Sequence, residues 1–99
     1  MKTKDYLICY DIRFLEVDDK KAQKRLRKIV KFLETISFRI QKSVFFMPDA
    51  SKDELEEVIF KLKYLSDYEL DDIRIYTIKN YGLYLGNHAI DLRNIDIIS

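Results

Sequence analysis

The sequence predicts an α+β fold in which two helices cover one face of an antiparallel sheet. Runs rich in β-branched and aromatic residues occur at Asp5–Ile12, Phe38–Met47 and Asp72–Ile78. Two stretches with apolar residues at helical spacing lie between them. The resulting order is strand, helix, strand, strand, helix, strand, which suits a two-layer sandwich and not a parallel sheet.

The first strand, Asp5–Ile12 (DYLICYDI), carries Leu7, Ile8, Cys9, Tyr10 and Ile12 and reads as a central strand covered on both faces. Arg13–Asp19 is a polar loop, and Asp18 or Asp19 can cap the helix that follows. That helix is predicted over Lys20–Ile36, with Ala22, Leu26, Ile29, Val30 and Leu33 as its buried stripe. Phe38–Met47 is expected to break near Gln41–Lys42 into two short strands or one bent one, with Pro48 as its end. Ser51 and Glu54 form a capping box, and Leu55, Val58, Ile59, Leu62 and Leu65 line a helix ending near Ser66. Asp72–Ile78 alternates as a strand.

Asn80–Asn94 carries both glycines and reads as loop, with a short strand as an option at Gly82–Leu85. Ile95–Ile98 is expected to add as an edge strand, on this chain or on a partner copy. Together the elements form a ferredoxin-like βαββαβ sandwich with an extra C-terminal strand. Its second sheet face also carries apolar side chains, which predicts packing against another copy, a homodimer.

Ninety-nine residues suffice for one two-layer domain over 1–99. With 47% hydrophobic and 35% charged residues, the composition excludes a disordered chain. No apolar run approaches a membrane span and no leader pattern is present, so a cytoplasmic chain without a membrane partner is expected. Cys9 is the single cysteine and reads as a buried thiol. His88 has no second histidine beside it, which excludes a histidine zinc cluster, and no nucleophile triad or Gly-rich phosphate loop is present. The glycine-aromatic signature of an RNA-recognition motif is also missing.

Two features carry chemistry. Asp11 places a carboxylate in an apolar run at the carboxyl end of a strand, where an ionised group is costly unless paired, hydrogen-bonded or holding a cation. Facing Asp11 carboxylates across a dimer axis could hold Mg²⁺, which takes one or two carboxylates and keeps waters. The alternative is a turn-starting aspartate that accepts backbone N–H bonds. The second feature is Lys20–Lys31 (KKAQKRLRKIVK), with seven basic residues and no acidic one. Such a face is either simply solvated or relieved of its self-repulsion by a phosphate backbone. Lys20, Lys24, Arg27, Lys28 and Lys31 lie on it, with Arg25 at its border.

Tyr10-Asp11-Ile12, Lys24-Arg25-Leu26, the run Arg39-Ile40-Gln41-Lys42-Ser43-Val44-Phe45 and the strand Ile73-Arg74-Ile75-Tyr76 resemble CRISPR-associated protein family two. The resemblance covers nearly the whole chain, and the Arg39–Phe45 run is its most specific part. It implies a homodimeric, Mg²⁺-dependent endonuclease of single-stranded RNA or double-stranded DNA. Asp11 would be the metal-binding residue, with Tyr10, Arg25, Arg39 and Phe45 as polar and aromatic neighbours. It further implies spacer acquisition in complex with the CRISPR adaptation integrase, where a non-catalytic duplex-binding scaffold is the alternative. A ribonuclease toxin of the virulence-associated D family shares the fold and fits the Arg39–Phe45 run less well. Two positions depart from the family pattern. Ser37 stands where glycine is common, and Phe46 replaces a frequent glutamate, which removes a candidate second carboxylate.

Overall fold

The computed structural model describes residues 2–78 and 96–97. The elements are β1 (Thr3–Asp11), α1 (Lys20–Ile36), β2 (Phe38–Gln41), β3 (Val44–Ser51), α2 (Lys52–Leu65), β4 (Asp72–Ile78) and β5 (Asp96–Ile97). The strands pair antiparallel in the order β2-β3-β1-β4-β5, the ferredoxin-like order with one added edge strand. β5 pairs with β4 of its own chain, Ile97 opposite Tyr76, so the C-terminal strand extends its own sheet. The strand considered at Gly82–Leu85 lies outside the described residues, as do His88, Tyr81 and Tyr84.

β1 is the middle strand and its side chains alternate between faces. Tyr6, Ile8 and Tyr10 enter the main core with Ile29 and Leu33 of α1 and Leu55, Val58 and Leu62 of α2. Leu7 points to the opposite face and clusters with Phe46, Tyr76 and Ile78, flanked by Cys9 and Val44. The sheet therefore has apolar side chains on both faces, as the sequence predicts. Cys9 is half-buried, and burial pushes its thiol pKa up.

Pro48 does not end β3, which continues to Ser51. Pro48 and Asp49 lie opposite the single residue Asp5, between the pairs Lys4–Ala50 and Tyr6–Met47. This is a bulge, a place in a sheet where the missing proline N–H is tolerated. Asp49 has φ 55°, a left-handed conformation that aspartate visits more readily than most residues. Its N–H donates to the Asp5 carboxylate at 2.7 Å, and the Thr3 hydroxyl donates to its side chain.

Both helix starts carry the caps that their sequences predict. Ser51 Oγ accepts from Glu54 N–H at 3.1 Å, while Glu54 accepts from Ser51 N–H at 3.0 Å. At α1 the cap is Asp19, whose carboxylate accepts from Ala22 N–H and Leu15 N–H, each at 3.0 Å. The Leu15 and Ala22 amide bonds hold the Asp19 pKa below the usual carboxylate range. A depressed folded-state pKa contributes stability above the unfolded-state value, and this is lost as pH falls through the folded-state value. In Asp19→Asn, which keeps an acceptor and loses the charge, urea midpoints should therefore decline less steeply on the acid side than those of wild type. Identical pH profiles for the two proteins would rule this out.

Candidate functional site

The period of two in β1 separates the residues expected to act together. Asp11 follows Leu7 and Cys9 onto the sheet face away from the helices, whereas Tyr10 faces them. Asp11 is exposed and not buried, because it is the last residue of the strand. The burial expected to make its charge costly is absent. Among the described residues it joins no ion pair and accepts no side-chain hydrogen bond. Its cross-strand neighbour is Asp72, a second carboxylate on the same face. Asp72 is partly neutralised by Arg74, at 3.2 Å. Hydrogen bonding to Asp72, then to Tyr76, raises the Arg74 pKa further. Among the described residues no group of three or more His, Cys, Asp or Glu side chains could hold a metal ion.

Tyr10, Arg39 and Phe45 do come together, on the other side of the sheet. Tyr10 Oη donates to the Lys42 carbonyl at 2.9 Å and accepts from Arg39 Nη2 at 3.2 Å. Arg39 also donates from Nε and Nη2 to the same carbonyl, at 3.2 and 2.9 Å. Its guanidinium lies 5.4 Å from the Phe45 ring centroid, in cation–π range. Phe45 is 0% exposed, so it supports Arg39 from beneath and offers no surface on which a base could stack.

Arg25 has a different task. Its Nε donates to Asp71 Oδ2 at 2.8 Å and its Nη2 to Asp71 Oδ1 at 3.1 Å, with a further bond to the Arg13 carbonyl. The Asp71 side chain is 0% exposed and also accepts from Arg13 N–H and Asp67 N–H. The hydrogen bonds to Asp71 push the Arg25 pKa above its ordinary value, against the opposing effect of burial. This pair ties α1 to the loop before β4 and leaves Arg25 poorly placed to meet a phosphate. Sequence reading missed Asp71, whose neighbours Glu69 and Asp72 make it look like part of a solvated acidic run.

Lys24, Lys28 and Lys31 are exposed on α1, as their spacing predicts. Arg27 and Lys31 join Arg39 and Lys42 around a cleft of about 490 Å³ between α1 and the β2–β3 turn. The structure thus unites Arg39 with the basic helix face, and not with Asp11. The sequence puts Arg27 on the basic helix face but links neither it nor Lys42 to a cleft. Their signal was weak, because a turn lysine is ordinary and the cleft needs long-range packing to form.

The sequence and the fold are similar to those of known proteins. The sequence matches the profile of the family described as CRISPR associated protein Cas2 over residues 4–83. The chain belongs to the Cas2 family. It is 36% identical over 80 residues to a protein of Thermodesulfovibrio yellowstonii named CRISPR-associated endoribonuclease Cas2 2, covering 79% of this chain and 76% of that one. Its fold is similar to the crystal structure of Streptococcus pyogenes Cas2, with TM-score 0.69, 26% identity and coverage of 80% of this chain and 92% of that one. A hypothetical protein, TT1823 of Thermus thermophilus, is similar at TM-score 0.65 and 28% identity, with 80% and 85% coverage. Among the described residues of this Cas2 chain, no helix is long and apolar enough to cross a membrane.

The Asp71 contacts yield a stability prediction. Removing one partner of a buried ion pair leaves an uncompensated charge, and Asp71→Ala should lower stability by about 3 kcal/mol. Equilibrium denaturation measures this, and a loss below about 1 kcal/mol would show that the pair is only a surface contact.

Proposed function

We propose that this Cas2 chain is a CRISPR-associated, Mg²⁺-dependent endonuclease that acts as a homodimer. The observation that carries the reading is the exposed Asp11 carboxylate at the end of the central strand, unpartnered among the described residues. It lies on the sheet face away from the helices, where a second copy would pack. The family membership and the endoribonuclease name of its Thermodesulfovibrio relative support the chemistry. The substrates proposed are single-stranded RNA or double-stranded DNA.

The donor set fits a hard cation incompletely within one chain. Asp11 supplies oxygen ligands, Asp72 across the ladder is engaged by Arg74, and Phe46 offers none. A second Asp11 from a partner copy would complete a two-carboxylate site of the kind Mg²⁺ accepts. Mg²⁺ held there would supply charge stabilisation at the phosphate and a more acidic water. The chain's own residues do the remainder. Asp11 presents its carboxylate from a strand end held by the β4 ladder, two residues beyond the last β3 pair, Cys9–Val44. Arg39, held by Tyr10 and the Lys42 carbonyl, and the lysines of α1 bind phosphates along the strand.

Separation of Arg39 from Asp11 favours a second reading, in which the basic face holds duplex DNA for the adaptation integrase without turnover. Spacer acquisition with that integrase is the biological role proposed in either case.

Cleavage of labelled single-stranded RNA and duplex DNA with Mg²⁺ tests the first reading. Asp11→Asn should reduce cleavage to background, and chelation of Mg²⁺ should do the same to wild type. Because the substitution also relieves like charges directly opposite each other, the variant should be as stable as wild type, or more stable by about 0.5 kcal/mol. Full cleavage by Asp11→Asn would sink the proposal. For the basic face, Lys24→Ala, Lys28→Ala and Lys31→Ala combined should weaken duplex binding and flatten its salt dependence. The slope should fall by about one unit for each phosphate that is no longer neutralised. An unchanged slope would place the duplex elsewhere.

A further inference from the structure

The cleft between α1 and the β2–β3 turn is more selective than a charged surface. Arg27 and Lys31 border it from the helix, one turn apart, and Arg39 and Lys42 border it from the hairpin. Among the described residues none of these four cations is in an ion pair. Four cations around one cleft, with Glu34 as the single carboxylate beside them, repel one another, and an anion between them relieves that repulsion. Arg39 is preorganised for this. Its Nε and Nη2 are fixed on the Lys42 carbonyl, while Nη1 has no hydrogen-bond partner among the described residues.

Beside the cations the cleft is apolar. Leu26, Val30 and the Tyr10 ring line it, and Tyr10 itself is fixed by its hydroxyl contacts. Glu34 lies farther along α1 and brings a carboxylate to the cleft. An inorganic anion would use the cations alone. A nucleotide uses every part: phosphate on the cations, base on the apolar wall, and a sugar hydroxyl or amino group on Glu34. A volume of about 490 Å³ suits one nucleotide and not a duplex segment.

We infer that this cleft is a binding site for a single phosphate-bearing nucleotide, either the phosphorylated end of a strand or a free mononucleotide. It rests on the nucleic-acid-binding part of the proposed function and not on the nuclease chemistry. Asp11 lies on the opposite sheet face, so the cleft selects ends or ligands without taking part in bond cleavage.

The test is fluorescence anisotropy with the wild-type chain in EDTA, where Mg²⁺-dependent cleavage does not contribute. Short single strands carrying a 5′-phosphate, a 3′-phosphate or hydroxyl ends are compared. A phosphorylated end should bind about tenfold tighter than the hydroxyl form, the worth of one or two charge-assisted hydrogen bonds. The double variant Arg27→Ala with Lys42→Ala should erase that preference, whereas Lys63→Ala on α2 should leave it intact. Displacement by a nucleoside monophosphate would support the site and assign free nucleotide as a ligand. Retained preference without displacement would support it and assign the strand end. Equal binding of all three strands, or a preference that survives the double variant, would overturn the inference. A preference found without any Asp11-dependent cleavage leaves the cleft standing and rejects only the nuclease reading.

Discussion

The architecture depends on the position and period of β1. It is the middle strand, hydrogen-bonded to β3 on one side and β4 on the other, so its register sets that of both. Successive side chains alternate faces, and a slip of one residue would send Tyr6, Ile8 and Tyr10 out of the helix-covered core. The same alternation puts the chemically interesting neighbours Tyr10 and Asp11 on opposite sides of one layer. A single backbone constraint thus builds the core and also divides the functional surface in two.

Electrostatics then distinguish the two sides. On the open face the carboxylates Asp11 and Asp72 oppose each other, with Arg74 engaging only Asp72. That arrangement tolerates like charges because both groups are solvated, and among the described residues it leaves Asp11 without an ion-pair partner. On the helix side the cations predominate, and they are held at defined places. Arg39 lies over a buried aromatic ring and is anchored on a carbonyl. Arg25 is drawn out of the basic face by the buried Asp71, which closes the loop before β4 against α1. Among the basic residues of α1, Arg25 therefore serves the fold, while the others face solvent or the cleft.

Membership of the Cas2 family accounts for the fold, and on that fold this chain brings Tyr10, Arg39 and Phe45 together. Phe46 is buried in the second apolar cluster and brings no carboxylate to the open face. Asp11 correspondingly lacks a free acidic companion at that position. The basic surface runs from α1 into a cleft at the β2–β3 turn.

Several features were legible in the sequence because they are local. The span Lys20–Ile36 follows from helical periodicity bounded by an aspartate cap, and the Ser51–Glu54 box marks the next helix at its first turn. Asp72–Ile78 follows from simple alternation. Pro48 misled because a bulge depends on what lies across the ladder, here Asp5, and no neighbour in sequence reports it. The seven cations of Lys20–Lys31 are visible along the chain, yet their division is not. Arg25 goes to Asp71, 46 residues away, and Arg27 goes to the cleft, because the packing of α1 on the sheet decides which side of the helix meets which partner. Propensity, capping and periodicity act over a few residues, so the elements, their order and the chemical inventory can be read from the chain alone. That Tyr10 and Arg39 share one surface while Asp11 stands on another cannot be read there, since it depends on strand pairing and register across the whole sheet.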